Sequence, residues 1–429
     1  MKEKRLNMQN DKNKIIREIA VKIVQDELQQ EHKDSMTLSS GLPGICLLMT
    51  KMMEVYPEEE QWKNYANECI GTCVSRINEH GYAGLSMFSG LAGLGLASVC
   101  ASENFQNYKK LLHTINEQIV NGVNELSNLL KKSEGVHSTW FDAIEGMSGI
   151  LSYLLIYKND NLCMQAIYKG TEALIALTRD ICVNGAVVPA WYIPSEYQFS
   201  PVEGKIYPKG NFNTSLSHGI AGPLIMLSRL CMEGICLEGQ EKAIEKIVHF
   251  YFETKQIIDQ RVQWTGQIDF EEYTLKQITE KNFVRRDAWC YGTTGICYAL
   301  AIAGKALKRE EWISFAVCTL KDALKDIRGI FSPTFCHGYT GIYQVLTSME
   351  RILEKNLFLQ EEIELESIIW DNYNKKNLYG FCDIEYNGID GLEKQNIRTL
   401  LGGAAGVCLT LLEKEHPGNH MWEKAFLLG

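Results

Sequence analysis

The chain lacks an apolar run long enough to cross a bilayer. Its uncharged apolar stretch from Ala288 to Gly304 is shorter than the roughly 20 residues that a spanning helix needs. It also lacks a surplus of basic residues: the net charge is −10, which argues against a surface for nucleic acid or diphosphate. Residues 1–14 are polar and contain no apolar core of a signal peptide. We therefore expect a cytoplasmic protein without a membrane span.

The 14 cysteines do not indicate a disulfide framework, because the chain is long and shows no export signal. Most of them are expected to be reduced thiols that behave as small buried hydrophobes. Cys46, Cys297 and Cys408 follow this pattern, since each lies on the apolar face of a predicted helix.

The strongest pattern is a Gly-x-x-Gly motif that occurs seven times and opens an apolar, helix-like stretch each time. Apolar residues recur at helical spacing after each motif, and a second amphipathic stretch, such as Tyr108 to Leu129, follows before the next. A periodic array of this kind predicts stacked helix pairs. We expect an all-α fold of seven helix pairs, which could form an open superhelix or a closed ring. The small residues at one end of every inner helix favour a closed α/α barrel. The motifs begin at Gly41, Gly90, Gly146, Gly219, Gly292, Gly338 and Gly403.

The array runs almost from end to end, which predicts a single domain over residues 1–429. Two connections are longer than the others, at about 183–213 and about 258–285. Both contain short alternating apolar segments that are typical of strands. Because the two insertions belong to neighbouring repeats, we expect them to form a small β-containing appendage near the site.

The residues before the glycines carry the chemistry. In the aligned motifs Cys290 and Cys336 occupy one equivalent position, and His218 and His337 occupy the next. Two thiolates and one imidazole, from Cys290, Cys336 and His337, form a ligand set of the Zn²⁺ type with a fourth position open to water or substrate. The alternative interpretation is that both cysteines are core residues and that both histidines cap helices.

The segments WFDAIEG, SLSHGIAG, RRDAWCYGTTG and FCHGYTG, with the seven glycine motifs, resemble the lanthionine synthetase C-like family, the lanthipeptide cyclases, along nearly the whole chain. The resemblance implies a toroid of seven inner and seven outer helices with one zinc ion per chain. It implies Cys290, Cys336 and His337 as zinc ligands and His218 as the acid/base residue. Asp142, Arg286 and Tyr291 match further active-site positions.

The implied reaction is lanthipeptide (lantibiotic) biosynthesis, in which a peptide cysteine thiol adds to dehydroalanine or dehydrobutyrine and closes a thioether ring. The implied partners are a leader-bearing precursor peptide, a dehydratase and an ABC transporter, with attachment to the inner face of the membrane only through these partners. Arg286 would stabilise the enolate, and Asp142 would orient His218 or cap the helix that opens at Gly146.

Three alternatives remain open from the sequence. One is a related protein that adds glutathione or another thiol to dehydroamino acids. A protein prenyltransferase also combines an α/α barrel with zinc, but it would need a basic pocket and would usually have an aspartate ligand. The third is a peptide-binding scaffold without catalysis, for which the absence of bound zinc would be the discriminating observation.

Overall fold

The computed structural model describes residues 2–30, 35–82, 84–279, 286–388 and 391–429. Helices dominate it, as the repeat predicts. The seven inner helices are α2 (Leu42–Val55), α4 (Leu91–Ala101), α6 (Met147–Leu154), α9 (Ala221–Met232), α12 (Thr293–Leu307), α14 (Tyr339–Leu353) and α16 (Ala404–Glu415). The seven outer helices are α1 (Lys2–Leu28), α3 (Glu60–His80), α5 (Lys109–Lys132), α7 (Asn161–Ala176), α10 (Gln240–Thr254), α13 (Glu310–Leu324) and α15 (Leu359–Asp371).

The inner helices close into a toroid, because the last of them, α16, packs against the first, α2. Helix α1 contacts both α2 and α16, and so covers the closure from outside. The prediction of a closed α/α toroid is confirmed. In the part of the chain that the structure describes, no helix is long and apolar enough to traverse a bilayer.

Short strands make up the appendage that the insertions predict. The first insertion and the residues just before it contain β1 (Asp180–Val183), β2 (Ala186–Pro189), α8 (Pro201–Ile206) and β3 (Asn211–Asn213). The second insertion and the residues just before it contain β4 (Gln256–Ile258), β5 (Arg261–Gln263), β6 (Gln267–Asp269) and α11 (Phe270–Leu275). Strands β3 and β6 pair antiparallel, so the two insertions are joined. Residues 280–285, at the end of the second insertion, lie outside the described residues. Another antiparallel pair follows α15, formed by β7 (Asp383–Tyr386) and β8 (Leu392–Gln395).

The glycines are needed for close backbone contact where the inner helices begin. A Cβ atom on Gly341, the second glycine of its motif, would overlap the carbonyl oxygen of Phe335, and the second glycines of five other motifs have the same relation to the residue six positions earlier. Gly292 has a second reason, since its φ of 105° is a conformation that favours glycine. Any side chain at these positions would push apart the loops that carry the pre-glycine residues.

A closed circle of backbone hydrogen bonds links all seven repeats at the end of the toroid where the inner helices begin, which we call the mouth. Each bond joins the segment before one glycine motif to the same segment of the next repeat. We call this set the mouth circle. Its members, donor N–H to acceptor C=O, are Ser39 to Phe88 (3.2 Å), Phe88 to Ile144 (3.1 Å), Ala143 to Ser217 (3.1 Å), Ser217 to Cys290 (3.2 Å), Cys290 to Cys336 (3.3 Å), Cys336 to Leu401 (2.9 Å) and Leu401 to Ser39 (3.2 Å).

The centre of the toroid is filled by residues 421–428, which we call the central plug. Phe426 is fully buried; its ring stacks on Phe335 at 3.8 Å and meets Trp289 edge to face at 5.4 Å. The indole N–H of Trp289 donates to the Phe426 carbonyl at 3.2 Å. Since Trp289 and Phe335 directly precede Cys290 and Cys336, the plug packs immediately beside the residues that carry the thiols.

Candidate metal and proton-transfer site

Four consecutive repeats, the third to the sixth, bring the predicted site residues together at the mouth. The mouth circle ties Ser217, which precedes His218, to Cys290, and ties Cys290 to Cys336. The side chain of Ser217 also lies 3.4 Å from the Cys290 carbonyl. Equivalent positions of neighbouring repeats therefore become neighbours in space, as the motif alignment predicts.

The thiols of Cys290 and Cys336 are hydrogen-bonded to each other, so the ionisation of one affects the pKa of the other. The hydrogen bond from Cys336 lowers the pKa of Cys290 to about 7 against the opposing effect of burial, and the positive charges of Arg286 and His337 lower it further. The same hydrogen bond raises the pKa of Cys336. The N-termini of α12 and α14 face this end of the toroid, and their dipoles also favour a negative charge. The site thus stabilises one thiolate before any metal is considered.

His337 is held by two carboxylates of strand β7. Its Nε2 lies 2.9 Å from Asp383 Oδ1 and 3.1 Å from Glu385 Oε1, which together raise its pKa although burial opposes them. Asp383 also accepts hydrogen bonds from Ser332 (2.8 Å) and Thr334 (3.3 Å). A carboxylate on one ring nitrogen is the usual support of a metal-ligating histidine, and it leaves Nδ1 for the metal.

Chemically, these donors fit a zinc ion: two adjacent thiols and an imidazole supported by a carboxylate. Among the described residues, however, the group whose ligand atoms all lie within 4.8 Å of one another is Glu413, His420 and Glu423. Coordination by Cys290, Cys336 and His337 therefore requires a change of side-chain conformation.

The Glu413, His420 and Glu423 cluster is better explained as an anchor of the central plug. Both carboxylates are buried and already have cationic partners, because Lys51 lies 3.0 Å from Glu413 and Arg351 pairs with Glu423. These two charges neutralise the two acids. A divalent cation would have to displace them, so the charge balance argues against a metal here.

The half-buried His218 and the buried Asp142 form an imidazole–carboxylate pair. His218 Nδ1 lies 2.7 Å from Asp142 Oδ2, and Asp142 is fully buried. Burial disfavours the charged imidazole, but the hydrogen bond and the charge of Asp142 outweigh it and raise the pKa of His218. With Nδ1 directed at the carboxylate, Nε2 is the nitrogen left to exchange a proton with a substrate.

The other oxygen of Asp142 fixes the turn before α6. Oδ1 accepts the backbone N–H groups of Glu145 (2.6 Å) and Gly146 (2.8 Å). The contact with His218 is the one that the orienting hypothesis needs. The capping hypothesis is wrong, because the N-cap of α6 is Gly146 and no side chain in the described part of the chain caps this helix.

Arg286 and Tyr291 line the same site. Arg286 forms an ion pair of 2.9 Å with Glu385, so that its guanidinium lies beside the carboxylates that hold His337. The Tyr291 hydroxyl accepts a hydrogen bond of 3.1 Å from Asn213, and burial raises its pKa to about 12. Tyr291 is thus a neutral hydrogen-bonding group, and its ring centroid lies 6.5 Å from that of His218.

Sequence reasoning missed Asp383 and Glu385. Their strand reads Asp-Ile-Glu-Tyr and is followed by Asn387-Gly388, which is a turn signal. A hairpin was readable from this pattern. What could not be read was that the hairpin lies against His337.

Fold and site together define a helical toroid whose mouth carries a thiol–imidazole centre. A family model described as lanthionine synthetase C-like protein matches residues 32–427. The chain is 31% identical to the nisin biosynthesis protein NisC of Lactococcus lactis subsp. lactis, over 98% of this chain and 97% of that protein. A solved structure of nisin cyclase superposes with a TM-score of 0.81 at 28% identity, covering 98% of both chains. The chain belongs to the lanthionine synthetase C-like family.

Proposed function

We propose that this protein is a zinc-dependent cyclase that forms lanthionine and methyllanthionine rings in a dehydrated precursor peptide. One observation carries the proposal: the mouth circle places the Cys290–Cys336 thiol pair beside the loop that carries His218, which is paired with Asp142. A thiol-activating centre next to a proton-transfer group is what addition of a thiol to an alkene needs. Family membership supports the same reaction class.

Cys290, Cys336 and His337 would hold the zinc ion, and Asp383 would orient the His337 ring. The ion would supply a Lewis acid that keeps a peptide thiol ionised at neutral pH. Arg286 adds a positive charge at the same place, where it can stabilise the enolate that forms during addition.

The addition balances without any redox partner: the peptide thiol loses its proton to solvent, and solvent returns one proton to His218 after each turnover. A carbon–sulfur bond forms at the β-carbon of the dehydro residue while the carbon–carbon π bond breaks. The electron pair then resides on the α-carbon and its carbonyl oxygen as an enolate. His218 Nε2 delivers the proton to the α-carbon, and Asp142 stabilises the imidazolium before this transfer. The product has the mass of the substrate, with one thiol fewer.

The test uses the full chain loaded with zinc and a dehydrated precursor peptide that contains free cysteine. We expect loss of alkylatable thiol without a change in peptide mass. An unchanged thiol count contradicts the cyclase proposal. Adding glutathione separates the related alternative, because intermolecular addition would increase the peptide mass by one glutathione.

Replacing His218 with alanine should impair cyclisation by about 10²–10⁴-fold, the usual contribution of a general acid or base, while zinc stays bound. The measurement combines initial rates with metal analysis of the purified variant. Loss of zinc together with activity would make His218 a ligand instead.

Replacing Asp142 with asparagine should shift the pH profile. A general acid must be protonated, so the rate falls as pH rises through the pKa of His218, which Asp142 raises. Removing the carboxylate charge should lower the pKa of His218 and so move this falling limb of the profile to lower pH. Asp160→Asn, at the N-cap of outer helix α7, is the matched control and should leave the profile in place. An unchanged limb in Asp142→Asn would exclude His218 as the titrating acid.

The substrate under this proposal is a leader-bearing precursor peptide, and a dehydratase must act before the cyclase to supply the dehydro residues. Association with that dehydratase and with an ABC transporter at the inner face of the membrane is part of the same proposal. Co-purification with each partner would test it.

A further inference from the structure

The segment that leads into α8 exposes three apolar side chains within eight residues. Phe199 is 47% exposed, Val202 67% and Ile206 52%. Val202 and Ile206 are four residues apart in α8 and therefore share one face of that helix. We call Phe199, Val202 and Ile206 the apolar ledge.

The ledge is fixed to the body of the protein. The Phe199 N–H donates to Glu203 Oε2 at 3.1 Å, and the amide of Gln267, in β6, donates to the other oxygen of Glu203. Ser200 caps α8 by accepting the Glu203 N–H at 3.1 Å. Scattered exposed apolar residues need no explanation, but a cluster on an anchored segment is typical of a binding surface.

The ledge also reaches the reaction site. The Phe199 ring meets the His218 ring edge to face, with centroids 4.9 Å apart, and meets the His137 ring at 5.7 Å. A peptide whose reacting residue lies at His218 must therefore pass next to Phe199. The exposed face of α8 extends this contact away from the site.

We propose that the apolar ledge binds an uncharged apolar residue of the substrate peptide that neighbours the reacting dehydro residue, and so selects which residue is cyclised. The proposal rests on the proposed function. Two observations identify this bound residue: the ledge touches His218 through the Phe199 ring, and its exposed side chains are apolar. Both oxygens of Glu203 are already hydrogen-bonded, so the adjacent carboxylate is directed to the protein. An apolar side chain fits such a surface and gives up no hydrogen bond to water on binding, whereas a polar side chain would lose part of its hydration.

The test uses two dehydrated peptides that each contain one cysteine and one dehydroalanine and differ only in Leu or Gln beside the dehydroalanine, so that the exposed Lys205 of α8 forms an ion pair with neither. With the zinc-loaded full chain, we expect kcat/KM about tenfold higher for the Leu peptide.

The double variant Val202→Ser, Ile206→Ser should raise KM for the Leu peptide about tenfold and keep kcat, because neither residue belongs to the His218–Asp142 pair. Phe199→Ala should lower kcat as well, since it also removes a contact of His218.

Ile363→Ser is the matched control, because Ile363 is 53% exposed on outer helix α15. It should leave both kinetic constants unchanged. The proposal is contradicted if the double variant has the same KM and the same preference between the two peptides as the wild type.

Binding is measured separately by fluorescence anisotropy with a labelled Leu peptide in which serine replaces the cysteine. This peptide cannot cyclise, so its Kd reports on the ledge even if the proposed function fails. A Kd about tenfold weaker in the double variant supports the ledge, and an equal Kd overturns it. Dimerisation of the wild type that the double variant loses would also overturn it, because the surface would then be covered by a second copy.

Discussion

Cys290→Ala is expected to lose its zinc and to cyclise peptide at least about 100-fold more slowly than the wild type. A free thiol with a pKa near ~8.5 is only a few per cent ionised at pH 7, so loss of the activating centre alone costs a factor of tens. Loss of positioning of the peptide thiol adds to this. Metal analysis should find one zinc per wild-type chain and none in the variant, with circular dichroism unchanged because the repeats supply the core.

Cys297→Ala is the matched control for this prediction. Cys297 is fully buried and belongs to the same repeat as Cys290. It lies within helix α12, whereas Cys290 precedes this helix at the mouth. It should keep zinc and activity and lose only a little stability. Full activity in a zinc-free Cys290→Ala protein would contradict the proposed mechanism.

Phe426→Ala should destabilise the protein by about 3–5 kcal/mol, because it removes a fully buried aromatic ring from a filled centre. Besides Trp289 and Phe335, the ring contacts Phe88 (5.6 Å) and Trp422 (5.8 Å). A cavity there would also loosen the residues that precede both thiols. We therefore expect lower zinc affinity as well as a lower denaturant midpoint, measured by urea unfolding and by zinc competition with a chelator.

Phe105→Ala is the matched control, because it removes the same side chain from an exposed position. Phe105 is 40% exposed, and its replacement should cost less than about 1 kcal/mol and leave zinc binding unchanged. Equal destabilisation by the two variants would show that the central plug contributes nothing special to the toroid.

The inner helices were readable from sequence because each begins with a local signal. A glycine pair, followed by apolar residues at helical spacing, fixes where α2 or α14 starts without reference to the rest of the chain. The closure also followed, since small residues recur at one end of every inner helix. The single-domain boundaries stay a prediction.

The surroundings of the site were harder to predict. Asp383 reaches His337 across 46 positions of sequence, and nothing local to either residue specifies that contact. The plug was missed for a related reason. Residues 421–428 contain no glycine motif, and their burial depends on a cavity that exists only after the toroid has closed. Whether Cys290, Cys336 and His337 bind zinc together stays a prediction, although the thiol pair and the carboxylate support are consistent with it.

The mouth circle has a consequence for how such a protein can vary. In an open solenoid, repeats can be added or lost at the ends, and terminal units must be capped. Here the bond from Leu401 to Ser39 leaves no terminal unit, so inserting or deleting one repeat would break the circle and change its diameter. The number of units is therefore fixed by geometry. Within that frame, new chemistry can arise by substitution at the pre-glycine positions, which are serine, glutamate, histidine, tyrosine or glycine in the seven motifs, and at the residues that pack against them.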